Sequence, residues 1–427
     1  MYQNPGLFQN LKKFLYFPIA HYFRFFASIK LRRWNPEIIV ITGSNGKTSL
    51  MNLLVSQLKD RAAYSHHANS SYGIPFNILG LERKNLLLYE WIFLFIRAPL
   101  QVFSKTSNKK LYVVEADCDR PGEGVFLSSL LKPDVTIWFS SSRSHSMNFD
   151  GLVSEGKFSS VEDAIAYEYG YFLEATGKLA IINSDSELIK KQSLRTPAKI
   201  KEVSKKDLEK YEISEKGTVF KIKGKTYKFN FLLPEAFFSS IYAALYLTEY
   251  LDQPFDDSFA SFDIPPGRSS LINGVRNVRI VDSCYNSNLS SATEIINMFN
   301  MIDSQKKWAV IGDMLEQGNE EREEHEKLAD LIVKSRYDRV ILLGPRILRY
   351  GLPILKKYYG ENAVGYTSPK DVLSYLNDNL KGKELVLFKG ARFLEGVIEN
   401  LLADKTDASK LSRREKIWEV RRRKWGL

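Results

Sequence analysis

Cysteine is nearly absent: the 427 residues hold two, Cys118 and Cys284. Thiols so few and so far apart exclude a disulfide framework and a cysteine-rich zinc site, and they fit a reducing compartment. Any run of about 20 residues free of charge is also missing, which excludes a membrane-spanning helix. The N-terminus is apolar and basic, but Pro18, His21 and Arg24 interrupt it and no small-residue cleavage pattern follows, so no cleavable signal is expected. No repeat with a period of roughly 20–50 residues is visible. Acid is in deficit: 50 Asp and Glu against 61 Lys and Arg leave a net charge of +11, which favours anionic partners. Nucleotide, nucleic acid and an acidic membrane surface all qualify. No nucleic-acid recognition motif accompanies the charge, so a nucleic-acid-binding ATPase ranks last and no nucleic-acid partner is expected.

What is present centres on one stretch. Residues 37–42 (EIIVIT) are a β-branched run suited to a strand buried on both faces. Gly43-Ser44-Asn45-Gly46 breaks it, and Lys47 to Asp60 carries leucines at helical spacing. A glycine loop between strand and helix aims backbone N–H groups and the positive helix end at phosphates. Lys47 would neutralise the β/γ oxygens, and the Thr48 hydroxyl, with Ser49 beside it, would sit at Mg²⁺. The loop is shorter than the general Walker pattern, because Ile41 stands where that pattern has its first glycine.

The chain exceeds what one core usually serves, so two domains with appendages are expected. Residues 7–33 mix aromatics with Lys12, Lys13, Arg24, Lys30, Arg32 and Arg33. They suit either an amphipathic segment in a membrane interface or a helix docked on the protein body. Residues 86–103 are again aromatic and apolar, a core helix by the ordinary explanation and a second membrane-facing surface by the sharper one. Residues 111–116 and 134–139 are strands, the first ending at Glu115, where a carboxylate can reach a metal on the nucleotide. The second leads into a serine-rich loop with His145. Residues 179–183 form a further strand, Lys223-Gly224-Lys225 turns a hairpin, and residues 234–247 read as a helix.

Pro265-Pro266-Gly267-Arg268 marks a junction, after which strands and helices alternate regularly from Val278 to Lys389. That alternation predicts a second doubly wound sheet. The fold class is therefore α/β: a P-loop-containing, doubly wound central domain followed by a Rossmann-like C-terminal domain. The divisions are a basic aromatic segment 1–37, an ATP-binding domain 38–266, a C-terminal domain 267–403 and a basic tail 404–427. The tail reads by default as a solvated helix or frayed end.

The hexapeptide Gly-Ser-Asn-Gly-Lys-Thr resembles the phosphate loop of the Mur ligases, ATP-dependent amide ligases of peptidoglycan precursor synthesis. Asn69 to Pro75 resembles the element that faces substrate in those enzymes, and Glu115 to Glu123 the one whose glutamate holds Mg²⁺. His145 matches the family histidine at the second metal. Gly267-Arg268, Asp282 to Asn288, Gly312 to Gly318 with His325, and Lys389 to Arg392 resemble, in order, the motifs of the MurF type, which adds D-alanyl-D-alanine to UDP-muramoyl tripeptide. The resemblance implies that Arg268 contacts nucleotide phosphates and that Asp282 and Asn286 contact ribose or base. Thr48, Glu115 and His145 would be the metal ligands, and Lys47, Glu115 and His145 the catalytic residues.

There are departures. The alignment puts no lysine, carbamylated in most Mur ligases, near residues 164–169, so Glu168 or another carboxylate would replace it or the second metal would be held differently. Glu235 to Ser239 stand where the family has its adenine-contacting His-Asn-x-x-Asn. Ser283 and Cys284 replace an aspartate and a serine.

Only about 37 residues precede the first strand, where MurF-type enzymes carry a UDP-substrate domain of roughly a hundred residues. The resemblance thus implies an ADP-forming ligase using ATP and Mg²⁺ on a small-molecule or lipid-linked peptide precursor and an amine. It would be cytoplasmic, resting on the inner face of the membrane through residues 7–33. A MurT-like or poly-glutamate-type ligase and a nucleotide-binding pseudoenzyme stay open; the zinc-binding cysteines of MurT are absent.

Overall fold

The computed structural model describes residues 7–66, 68–83 and 89–427, with side chains from residue 14 onward. The chain forms two compact units, residues 1–141 with 166–202 and residues 142–165 with 203–427. The first is built on six strands: β1 (Glu37–Thr42), β2 (Ala62–Tyr64), β3 (Leu111–Glu115), β4 (Val135–Trp138), β5 (Leu179–Asn183) and β6 (Lys199–Val203). Their order is β2-β3-β1-β4-β5-β6, and the pairings from β2 through β5 are parallel. Ile39, Val40 and Ile41 are buried, as a strand covered on both faces requires. The chain leaves β1 toward one side of the sheet and returns to the other at β4. Crevices at such a reversal, beyond the carboxyl ends of the strands, are where α/β sheets bind ligands.

Five helices accompany the first half of this sheet: α1 (Leu7–Trp34), α2 (Lys47–Leu58), α3 (Gly73–Leu79), α4 (Glu90–Gln101) and α5 (Glu123–Leu131). Between β4 and β5 run α6 (Asp150–Ser154) and α7 (Val161–Glu174), and α8 (Glu187–Ser193) follows β5. Residues 7–33, read as either membrane-lying or docked, form a helix that is docked along one face. Ala20, Phe23, Ala27 and Leu31, at helical spacing, are all buried. The Phe23 ring lies 4.7 Å from that of Phe76 in α3 and 5.1 Å from that of Phe95 in α4. The segment 86–103 is helical from Glu90 to Gln101, while residues 86–88 lie outside those described. It is not the core helix of the ordinary explanation, since within α4 only Leu94 and Ala98 are buried.

In the second unit β7 (Leu208–Ser214), β8 (Gly217–Ile222) and β9 (Lys225–Phe229) make an antiparallel meander. The predicted hairpin is there: Lys223 (φ 49°) and Gly224 (φ 76°) supply the two positive φ angles of a turn whose twist matches the strands. A short 3₁₀ turn, Glu235–Phe237, leads into α9 (Phe238–Tyr250).

A second sheet follows, of β10 (Ser270–Asn273), β11 (Arg279–Ser283), β12 (Lys307–Gly312), β13 (Arg339–Leu343), β14 (Ala363–Tyr366) and β15 (Leu385–Lys389), in the order β10-β11-β15-β12-β13-β14. Only the β10–β11 pairing is antiparallel. The helices are α10 (Leu289–Met301), α11 (Glu321–Ser335), α12 (Pro345–Tyr350), α13 (Leu352–Tyr359), α14 (Pro369–Asn379) and α15 (Leu394–Leu401). Two apolar clusters, one around Ile296 and Leu328 and one around Val310 and Ile398, hold them to the sheet.

The tail is largely solvent-exposed and helical, as one of the two readings had it, but it is anchored rather than frayed. It ends in α16 (Lys416–Arg423), whose Arg422 is buried. Arg413 pairs with the fully buried Glu395 of α15 at 3.3 Å, and Arg414 with Glu399 at 2.8 Å.

Burial of α1 generates a prediction. Phe23→Ala should lower the first unit's stability to urea by about 3 kcal/mol, the cost of emptying a buried ring. Phe25→Ala, at an exposed position two residues on, should cost less than about 0.5 kcal/mol.

Candidate functional site

The phosphate loop forms where β1 gives way to α2. Gly43 (φ +119°) and Gly46 (φ +81°) take backbone conformations that favour glycine, and a Cβ on Gly43 would stand 2.6 Å from the Ser140 carbonyl oxygen. Ser140, just beyond β4, laces the loop in place. Its carbonyl accepts the Ser44 N–H at 3.0 Å, its hydroxyl accepts the Asn45 N–H at 2.7 Å, and that hydroxyl donates to the Asn45 carbonyl at 2.8 Å. Lys47, Thr48 and Ser49 then open α2, where first-turn N–H groups lack intrahelical partners.

Parallel pairing sets Ile41 beside Glu115, so the loop after β1 and the end of β3 come together. The Thr48 hydroxyl donates to a Glu115 carboxylate oxygen at 3.1 Å. A hydroxyl and a carboxylate converging beside a phosphate loop are hard oxygen donors that fit Mg²⁺, with nucleotide oxygens completing the shell. No cluster of three or more His, Cys, Asp and Glu that could hold a metal by itself occurs among the described residues.

The Lys47 ammonium is buried, 2.9 Å from an Asp117 carboxylate oxygen and 2.5 Å from the Gly43 carbonyl. Burial alone would push its pKa down, but the negative charges of Asp117 and Glu115 outweigh that and hold it up. Asp117 is itself fixed, accepting the Tyr169 hydroxyl at 2.7 Å and the Cys118 N–H at 3.0 Å. Its own N–H donates to the Asn69 carbonyl at 2.8 Å, tying in the turn-rich 69–75 stretch.

Glu168, the stand-in considered for the missing lysine, is committed elsewhere. Its carboxylate accepts the Gly122 N–H at 2.9 Å and the Gly124 N–H at 2.8 Å at the start of α5.

The second unit holds the remaining site candidates, at the carboxyl ends of β11, β12 and β15. Asp282 ends β11 completely buried. One of its carboxylate oxygens accepts the Cys284 N–H at 3.0 Å, and the other has no hydrogen-bond partner. Desolvation pushes its pKa up. Such an orphaned acceptor suits a ligand hydroxyl. The Arg268 guanidinium stacks on the Tyr285 ring at 4.8 Å. The Asn286 carbonyl accepts from the buried Lys389 ammonium at 2.7 Å. Burial brings that ammonium down to about 8 and pushes the nearby Glu294 carboxyl up to about 7.

The Gly312–Gly318 motif sends Asp313 inward and Glu316 toward His145. Buried Asp313 accepts the Arg346 and Ile347 N–H groups at the start of α12 and pairs with Arg392 at 3.1 Å. His325 donates from Nδ1 to the Glu321 carbonyl and accepts the Met314 N–H at Nε2, a neutral tautomer consistent with its burial-lowered pKa. His145 lies in this unit, at φ 51°, with Nδ1 against the Glu316 carboxylate. The structure thus gathers Lys47, Thr48 and Glu115 in the first unit and Arg268, Asp282 and Asn286 in the second, where His145 stands with Glu316.

Comparison with known proteins shows what the chain is similar to. The Mur ligase, glutamate ligase domain family matches residues 267–392. Across 394 residues the chain is 24% identical to the UDP-N-acetylmuramoyl-tripeptide–D-alanyl-D-alanine ligase of Bacillus subtilis (strain 168), an alignment covering 88% of this chain and 78% of that protein. The chain is similar to Mur ligases of the MurF type over most of its length. MurF from Thermotoga maritima in complex with ADP has the same fold, at TM-score 0.70 and 21% identity over 89% of this chain and 82% of that one. MurF from Acinetobacter baumannii follows at TM-score 0.69 and 17% identity, over 90% and 80%.

Several residues escaped the sequence reading: Ser140 at the loop, Asp117 on Lys47, and Glu294 beside Lys389. Asp117 left a trace, because it stands two residues beyond Glu115 and so shares its face of an extended segment. Ser140 and Glu294 are brought in by long-range packing and left none.

Asp117 and a nucleotide phosphate would compete for one ammonium. Asp117→Asn should therefore tighten metal-free ADP about tenfold in calorimetry; an unchanged affinity would make Asp117 purely structural. Glu294 generates a pH prediction. Because its carboxyl titrates near 7 when folded and near 4.5 when unfolded, its burial costs stability increasingly as pH rises between those values. Over that window wild type should lose on the order of 2 kcal/mol relative to Glu294→Gln in urea titrations.

Proposed function

We propose that this MurF-like protein is an ATP-dependent, ADP-forming ligase that joins a carboxylate to an amine. The observation that carries this is the Lys47, Thr48 and Glu115 constellation on a laced phosphate loop. Lys47 would face the phosphates as the γ-phosphoryl moves to a substrate carboxylate oxygen and ADP leaves, giving an acyl phosphate. The amine then attacks the activated carbonyl, and inorganic phosphate departs. Mg²⁺, held by Thr48 and Glu115, would neutralise charge on the nucleotide. His145 is assigned to the second metal, Arg268 to the phosphates, and Asp282 and Asn286 to ribose or base. Among the protein's own groups none needs to bond covalently to substrate.

By kinship with the ligases named above, the precursor is a UDP-muramoyl tripeptide and the amine D-alanyl-D-alanine; a lipid-linked precursor handled at the inner face of the membrane is the finer alternative. We assign nucleotide binding to residues 38–266 and the C-terminal motifs to residues 267–403. A nucleotide-binding pseudoenzyme is the second reading, favoured by Glu168, whose carboxylate is bound to the α5 N-terminus.

ADP release with Mg²⁺-ATP separates these, comparing UDP-muramoyl tripeptide plus D-alanyl-D-alanine with lipid-linked precursor plus candidate amines. Turnover on either pair is expected to vanish in Lys47→Ala, with circular dichroism unchanged. Retained turnover in that variant would move the catalytic centre elsewhere, and silence of wild type on both pairs would favour the pseudoenzyme.

A further inference from the structure

Helix α4 is apolar on two opposite sides, and only one of them is used. Leu94 and Ala98 are buried, with Trp91 and Phe95 packed on α1 rings on the same side. Tyr89, Ile92, Phe93, Ile96, Leu100 and Phe103 follow helical spacing over an arc of roughly 100°. They face outward: Ile92 is 63% exposed, Leu100 66% and Phe103 82%. Single exposed apolar residues need no explanation, but a contiguous stripe of this length does.

The charges around the stripe indicate what covers it. Residues 1–36 contain no Asp or Glu, and between residues 84 and 114 the only acid is Glu90, at the start of α4. At the other end of the helix basic residues gather. Lys30 of α1 donates to the Ser104 hydroxyl at 2.9 Å, and Arg33 donates to the Val102 carbonyl. Arg32, Arg97, Lys105 and Lys110 are exposed. An outward stripe of aromatic and branched aliphatic side chains with cations at its edge is the composition of a helix lying in an anionic lipid interface. No helix among the described residues is long and apolar enough to cross a membrane, so the contact would be peripheral.

We propose that the exposed face of α4 docks the protein onto an anionic lipid surface, with the Arg33, Arg97 and Lys105 end toward the headgroups. The contact belongs mainly to residues 89–105, within the stretch the sequence offered as a second membrane-facing surface, and not to residues 7–33, which it put first. It is independent of the ligase chemistry.

The test is co-sedimentation of the full chain with vesicles of phosphatidylcholine alone and with about one-third phosphatidylglycerol, at low and high salt. Wild type should pellet with the anionic vesicles, stay in solution with the neutral ones, and be released by salt. The double variant Ile96→Glu with Leu100→Glu, at surface positions that should leave thermal unfolding unchanged, should bind at least about tenfold less. Its ADP release on soluble substrates should equal that of wild type, so a failed ligase assignment and a failed docking assignment give different results. Equal sedimentation of wild type and variant would overturn the proposal. So would wild type that ignores anionic vesicles but self-associates in light scattering, with the variant monomeric, since the face would then join two copies.

Discussion

The parallel pairing of β1 with β3 is the constraint on which the first unit's chemistry depends. With Ile41 opposite Glu115, the loop that follows one strand and the carboxylate that ends the other have nowhere to go but beside each other. A slip of one residue would turn the Glu115 side chain to the opposite face of the sheet and leave Thr48 without its acceptor. The β-branched run from Ile38 to Ile41 enforces that register, because it is buried on both faces. The hydrophobic core thus does the aiming, and the polar groups are passengers on it.

Much of this was legible in the residues themselves. The phosphate loop, the 179–183 strand, the Lys223-Gly224 hairpin and the alternating C-terminal sheet are written in short-range patterns, and each is found within a residue or two of where those patterns put it. The C-terminal motifs were legible as markers of one sheet end, though not by role. Asp313 and His325 hold loops and helix starts, while one buried Asp282 oxygen has no hydrogen-bond partner. Local sequence does not separate a side chain that builds a site from one that serves it, because both are polar residues after a strand.

What stayed illegible depends on neighbours distant in sequence. Nothing near Ser140 says that both its hydroxyl and its carbonyl will fasten a loop some hundred residues earlier. The aromatic density of residues 7–33 matched a helix against lipid and a helix against protein equally well. The difference lies in α3 and α4, whose Phe76 and Phe95 meet Phe23. The basic tail misled in part, for the same reason. Most of its charges are solvated, but Arg413, Arg414 and Arg422 meet Glu395 and Glu399 of α15, which the local sequence does not show.

That tail bears on how the chain tolerates being shortened. Glu395 is fully buried, and the partners that answer its charge, Arg413 at 3.3 Å and Arg422 at 3.9 Å, both come from beyond residue 403. Leu427 lies against Gly396 of the same helix. Trimming at residue 403, just beyond α15, where an engineer would naturally cut, would strand an acid inside the protein. It would also remove Arg413 from the Tyr285 carbonyl, which that arginine holds at 2.8 Å. The last two dozen residues act as a clasp, and the loop after β11 is what they keep shut.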